Sequence, residues 1–253
     1  MDDSALSFAA LKRRFARNGE EQARADRFAL GDAAIDRALG GGLARGRLHE
    51  LVPAAEDDGP SAMGFAIMLA LRATPAALFW IGEDKAGRPR LHPPGLAELG
   101  ADPGRFLFAD AADEAGLLRA AADAVRSGAV GAVLLAPAGK AKLYDLTASR
   151  RLSLAAEGSG VTILLLRVAG DDGPSAAATR WRIAAAPSRP LEAGAPGQPT
   201  FTAELLRHRG GITLPAWRLE WNRDDALFRL APPLSGDPSA LPGDARLGGG
   251  WAG

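Results

Sequence analysis

Two stretches of the chain, AVGAVLLAP at 129–137 and VTILLLRV at 161–168, are almost entirely apolar, and AALFWIG at 76–82 has the same character. Each has strand length and none alternates with polar residues, so each must be covered above and below. The cover is supplied by segments of helical periodicity. EAGLLRAAADAVRSG sets Leu117, Leu118, Ala121 and Val125 on one side and stops at Gly128, and DLTASRRLSLAAEGSG also closes on glycine. The expected class is α/β: a mainly parallel sheet flanked by helices.

The flanks of this region read differently. In SALSFAALKRRFAR, Phe8, Leu11 and Phe15 fall at i, i+3 and i+7 and form one apolar stripe of a short helix. Lys12, Arg13, Arg14 and Arg17 surround it, and the polar GEEQARA links it to the main body. GDAAIDRALGGGL reads as a helix with Asp32 at its N-cap, Ile35 and Leu39 facing inward, and Gly40, Gly41 and Gly42 ending it. RGRLHELVP is a strand carrying Leu48 and Leu51. Beyond Asp171, TRWRIAAAP alternates as a strand does. PAWRLEWNRDDALFRLAPP sets Trp217, Leu219 and Trp221 on one face, then Phe228 and Leu230 after an NRDD turn, the pattern of an antiparallel hairpin at one edge of the sheet. The Pro/Gly-rich stretch from Ser235 cannot build a core and is expected to be disordered. The organisation expected is an N-terminal helix and linker at 1–25, a core at 26–234 and a tail at 235–253.

Composition removes several kinds of chemistry. Thirty basic and 30 acidic side chains leave no net charge, so nucleic acid or membrane is not coated through bulk charge. With no cysteine there is no disulfide, thiolate nucleophile or thiolate-bound metal. His49, His92 and His208 lie far apart and show no metal-ligand spacing, so no metal is expected. The N-terminus runs from acidic to basic, the reverse of a secretory signal. No apolar run approaches the ~20 residues of a membrane span. A soluble cytoplasmic protein is the expectation.

Against this background, LGDAAIDRALGGGLARGRLHEL at 30–51 resembles the opening of the RecA-type recombinase core, where a similar string leads into the phosphate-binding loop. The resemblance continues through AALFWIGED, DAVRSGAVGAVLL and SRRLSLAAEGSGVTILLLR, in order and spacing, over about residues 28–170. It implies a RecA-like core.

The nucleotide-binding elements depart from that pattern. A phosphate loop of the form GxxxxGK[ST] needs glycine N–H groups around the phosphates, a lysine to neutralise them and a hydroxyl for magnesium. Here the strand is followed by Pro53, Ala54, Ala55, Glu56, Asp57, Asp58, Gly59, Pro60 and Ser61, and no lysine lies between Lys12 and Lys85. Three carboxylates stand where a polyanion would bind, and the two prolines remove two donors. The strand expected to end in a magnesium-holding acid ends in Ala136 and Pro137. Glu83 survives where the family has its water-activating glutamate. Arg167 occupies the place of a phosphate-sensing residue, where it is poised to pair with Glu83 or with the acidic loop.

RecA-like proteins that lose the nucleotide site include the ImuA family. The chain is similar to it in the degenerate loop, in TRWRIAAAPS and in the closing Trp217, Leu219, Glu220, Trp221 pattern. The resemblance implies a noncatalytic accessory factor of the SOS response, without a cofactor. It would support translesion synthesis and mutagenesis with an ImuB-type Y-family polymerase relative, with RecA, and indirectly with an error-prone replicative-type polymerase. Candidate partner-binding residues are Phe8, Leu11, Arg13, Arg14 and Phe15. Two alternatives stand beside this reading. One is a RecA-type ATPase with an atypical phosphate loop, relying on Arg45, Arg47 or Arg72. The other is single-stranded DNA binding, with Trp181 stacking on bases between Arg180 and Arg182.

Overall fold

The computed structural model describes residues 26–85, 91–171, 173–192 and 195–232. The expected N-terminal helix and C-terminal tail lie outside these residues. Among them no helix is long and apolar enough to cross a membrane.

The described chain opens with β1 (Arg27–Phe28), α1 (Ala33–Ala38) and β2 (Leu43–Ala44), β1 and β2 pairing as a small antiparallel ribbon. Then follow β3 (Leu48–Pro53), α2 (Gly59–Ala73), β4 (Leu78–Glu83), α3 (Pro93–Glu98), β5 (Phe106–Ala111), α4 (Glu114–Ser127), β6 (Ala132–Ala136), α5 (Leu146–Ser159) and β7 (Thr162–Leu166). The last four strands are β8 (Thr179–Ala185), β9 (Thr200–His208), β10 (Trp217–Asn222) and β11 (Leu227–Leu230). Nine strands form one sheet in the order β11-β10-β9-β8-β3-β7-β6-β4-β5. From β8 to β5 every neighbouring pair is parallel, and from β8 to β11 every pair is antiparallel.

The architecture is the α/β class expected, with antiparallel strands at one edge. One boundary differs. β8 is an interior strand between β3 and β9, parallel to β3, and antiparallel pairing starts between β8 and β9, ahead of the β10–β11 hairpin at which the sequence predicts it. Burial explains the position: Trp181 and Ile183 need cover that a sheet edge does not supply.

The apolar strands divide their side chains between two cores, as period-two geometry requires. Leu51, Trp80, Leu134, Leu164, Trp181 and Ile183 face α2, together with Phe65 and the aromatic residues of β9–β11. Leu48, Ile81, Val133, Leu135, Ile163 and Leu165 face the other way, onto α4 and α5. Both helices on that side are capped by side chains: Asp113 accepts from the Gly116 N–H, and Asp145 from the Ala148 N–H. Both end on left-handed glycines, Gly128 and Gly160.

The N-terminal ribbon is locked to the far edge of the sheet. The Phe228 N–H donates to the Leu30 carbonyl at 2.9 Å. The end of α3 is tied to the same edge, the Trp221 indole donating to the Leu99 carbonyl at 2.8 Å. Asp32 caps α1 as expected, accepting from Ala34 and Ile35. The glycine run performs a second task at Gly42, where φ is +106° and an added Cβ would collide with the Phe28 carbonyl. Gly42→Ala is therefore expected to destabilise the fold by about 2 kcal/mol, read as a lower urea midpoint at unchanged slope.

Candidate functional site

The carboxyl ends of β3, β4, β6 and β7 border a cleft of about 640 Å³, where open parallel sheets bind ligands. Glu56, Met63, Trp80, Lys85, Lys140 and Arg167 are among the residues lining it.

The connection from β3 to α2 forms one side of this cleft. It is a tight turn of 3₁₀ helix over Glu56–Asp58 running straight into α2. Its backbone donors are largely committed within the protein. The Ala54 N–H donates to the Ile183 carbonyl at 2.8 Å, the Ala55 N–H to Asp58 Oδ2 at 3.1 Å, and the Asp58 N–H to the Ala55 carbonyl at 3.1 Å. Pro53 and Pro60 have no N–H to offer. Asp58 also accepts from the Ala185 N–H at 2.7 Å, stitching the turn to β8. Gly59 has φ of −50°, no residue from Pro53 to Pro60 has positive φ, and a Cβ on Gly59 would meet nothing. A loop that wraps a phosphate aims successive N–H groups inward through left-handed turns. This turn aims its donors elsewhere.

On the opposite wall, Glu83 ends β4 almost fully buried, bonded to Lys85 at 2.8 Å and accepting from the Ala138 N–H at 3.1 Å. The carboxylate braces the loop after β6 at Ala138, just beyond Ala136 and Pro137, where the sequence resemblance expects a metal-holding acid. Folding brings Lys85 and Lys140 to the cleft from two separate loops, although no lysine is near the phosphate-loop position in sequence.

The polar centre of the site lies beneath the cleft. Glu50, in the middle of β3, has no solvent exposure. It accepts from the Tyr144 hydroxyl at 2.7 Å, from Arg167 Nη1 at 3.2 Å and from Arg180 Nε at 2.6 Å. Arg167 also pairs with Asp171 at 2.7 Å, and its guanidinium lies 5.5 Å from the centre of the Tyr144 ring. Arg180 donates further to the Gly173 carbonyl at 2.6 Å and to Ser175 Oγ at 3.2 Å. Two carboxylates and two guanidiniums thus neutralise each other in the interior. Burial works against the charge on Arg167, but its bond to Asp171 and the carboxylates of Glu50 and Asp171 hold its pKa above the ordinary arginine value. Burial likewise opposes the Asp171 carboxylate, and the Arg167 bond and charge outweigh it, lowering that pKa. Burial, then the charge and hydrogen bond of Glu50, push the Tyr144 phenol upward.

Several residues singled out in the sequence meet different surroundings. Arg167 pairs with Glu50 and Asp171 rather than with Glu83 or the acidic loop, because β7 lies beside β3 and reaches Glu50 directly. Arg180 and Trp181 are buried, the indole donating to Thr179 Oγ1 at 2.9 Å and packing near Trp217. No open indole face remains for a base, and Arg182 is paired with Glu204 at 2.8 Å. Phe8, Leu11, Arg13, Arg14 and Phe15 lie outside the described residues. The residues missed are Glu50, Tyr144 and Asp171. A Glu within the apolar strand LHELV was the available signal, since a charge there must find a partner. Which partner was not legible, because Arg167 and Arg180 are more than a hundred residues away. Among the described residues no group of three or more His, Asp or Glu side chains is placed to hold a metal ion.

No protein-family model matches the chain. Curated relatives do. The chain is similar to Protein ImuA of Caulobacter vibrioides in two strains, 36% identical over 200 residues, with 72% of this chain and 78% of the relative covered. At that identity, over more than two thirds of both chains, this chain belongs to the ImuA family.

Proposed function

We propose that this protein is a noncatalytic accessory factor of the DNA-damage response, supporting translesion synthesis and induced mutagenesis by holding partners on a RecA-like core. Family membership supports the setting, and one observation carries the noncatalytic part: the turn between β3 and α2 commits its N–H groups to Ile183 and Asp58. Phosphoryl transfer depends almost wholly on positioning and charge neutralisation, and a turn whose N–H groups at Ala54, Ala55 and Asp58 are bonded within the protein, with Glu56 facing the cleft, is unsuited to either. Glu83 on this reading is a structural carboxylate. The partners are an ImuB-type polymerase relative and RecA, with the N-terminal stripe of Phe8, Leu11 and Phe15 as the contact.

Complementation of a deletion strain separates this reading from a nucleotide-driven one. Glu83→Gln keeps the acceptor for the Ala138 N–H and is expected to restore damage-induced mutagenesis close to the wild-type level. Phe8→Asp combined with Phe15→Asp is expected to abolish both mutagenesis and capture of the ImuB-type partner. Loss of mutagenesis in Glu83→Gln, with protein level and melting temperature preserved, would establish a catalytic carboxylate instead.

A further inference from the structure

The opposite end of the sheet carries a second concavity, of about 410 Å³, that the reading above does not use. Arg27, Arg47, His49, Glu157, His208 and Arg209 are among the residues lining it. They come from β1, the approach to and start of β3, the last turn of α5 and the end of β9 with the residue after it, so the tertiary fold alone assembles them.

Its charges are unbalanced. Arg47 Nη1 lies 2.6 Å and Arg209 Nη1 3.5 Å from the same oxygen, Glu157 Oε1. Arg27 bonds to the carbonyls of Gly42 and Leu39, at 2.8 and 3.2 Å, which orient its guanidinium without cancelling its charge. Glu157 is the carboxylate among the lining residues, so three guanidiniums face one negative charge. The imidazoles add no charge at neutral pH. Burial lowers both, His49 with help from His208 and Arg47, and His208 with help from Arg27. His49 is saturated, with Nε2 against the Ala44 carbonyl at 2.9 Å and Nδ1 against Thr179 Oγ1 at 2.8 Å.

A formal excess of two positive charges, presented by planar forks around a concavity, matches a dianion with several acceptor oxygens better than a single carboxylate. We propose that this pocket binds a phosphate group, held by Arg47 and Arg209 with Arg27 behind them, and that Glu157 is the internal anion it displaces. The arginines on the rim are partly exposed, Arg47 at 39% and Arg209 at 62% of the side chain, so the group enters from solvent. A free phosphomonoester supplies both charges on one group, and a nucleic-acid strand supplies one from each of two successive phosphodiesters.

The test uses the full chain with two probes at low salt, inorganic phosphate by calorimetry and a short fluorescein-labelled oligothymidylate by anisotropy. At least one is expected to bind, and which one binds identifies the source of the phosphate. Arg47→Ala with Arg209→Ala is expected to weaken that binding by at least about tenfold. Glu157→Gln is expected to strengthen it severalfold, an effect a purely structural role for the carboxylate does not produce. Thermal melting of each variant controls for folding, and should the double variant unfold early, Arg209→Ala alone provides the readout from an exposed position. Binding of neither probe to the wild type, equal binding by the arginine variants, or weaker binding by folded Glu157→Gln would overturn the proposal.

Discussion

Glu50→Ala is expected to lower the free energy of unfolding by about 3–5 kcal/mol, or roughly 6–20 °C in melting temperature for a chain of this size. The lost contacts are the smaller part of the effect. Removing the carboxylate leaves Arg180 beside Arg167 in the interior with only Asp171 to balance them, and an uncompensated buried charge is far more costly than a missing hydrogen bond. The Tyr144 hydroxyl loses its acceptor as well. Glu50→Gln retains an acceptor without the charge and should fall between wild type and alanine. Replacing Glu50, Arg167, Arg180 and Asp171 together by apolar residues of similar volume, with Tyr144→Phe, should restore much of the loss, since a network removed whole leaves no orphaned charge or hydroxyl. Urea titration of the series checks this. A Glu50→Ala protein within about 1 kcal/mol of wild type would mean that water already solvates the cluster.

The second large effect is on acid stability. Burial, with smaller help from His208 and Arg47, lowers the His49 pKa from 6.5 to about 4, while its bond to the Ala44 carbonyl resists the shift. Between those values the unfolded chain binds a proton that the folded chain refuses, so falling pH favours unfolding. The gap corresponds to roughly 3 kcal/mol of stability lost between pH 7 and pH 4, with little further loss from this group below pH 4. Asp171 acts in a separate window: its lowered pKa contributes stability that is present above the ordinary carboxylate value and lost only as pH falls through the lowered one. Denaturant midpoints measured across pH for wild type and His49→Gln distinguish the two. The variant should lose most of the slope between pH 6.5 and 4, apart from a share that remains with His208, and keep the drop below pH 4. Identical slopes in the two proteins would remove His49 as the cause.

Both effects arise at residues whose sequence context was plain and whose meaning was not. His49 and Glu50 interrupt an otherwise apolar strand, so each had to be satisfied from elsewhere. For His49 the partners are Ala44, five residues back, and Thr179, 130 residues on. The Asp32 cap, the glycine stops of α4 and α5 and the near-continuous strands were legible because each obeys a rule acting within one turn or one strand. The acidic, proline-bounded turn after β3 was legible as a sequence because it is a matter of residue type over neighbouring positions. The interior place of β8 was not. Alternation in TRWRIAAAP describes the strand's own faces and is silent about its neighbours.

Local periodicity and residue chemistry were enough to establish an α/β core, its two flanking layers and its antiparallel end. Long-range packing alone settled the strand order, the closure of Glu50 upon Arg167 and Arg180, the arrival of Lys85 and Lys140 at the cleft, and the gathering of Arg27, Arg47 and Arg209 at the other end. The reason is physical. Helix, strand and cap preferences are energies between near neighbours along the chain, whereas a buried charge is satisfied by whichever partner the sheet order brings within hydrogen-bonding distance.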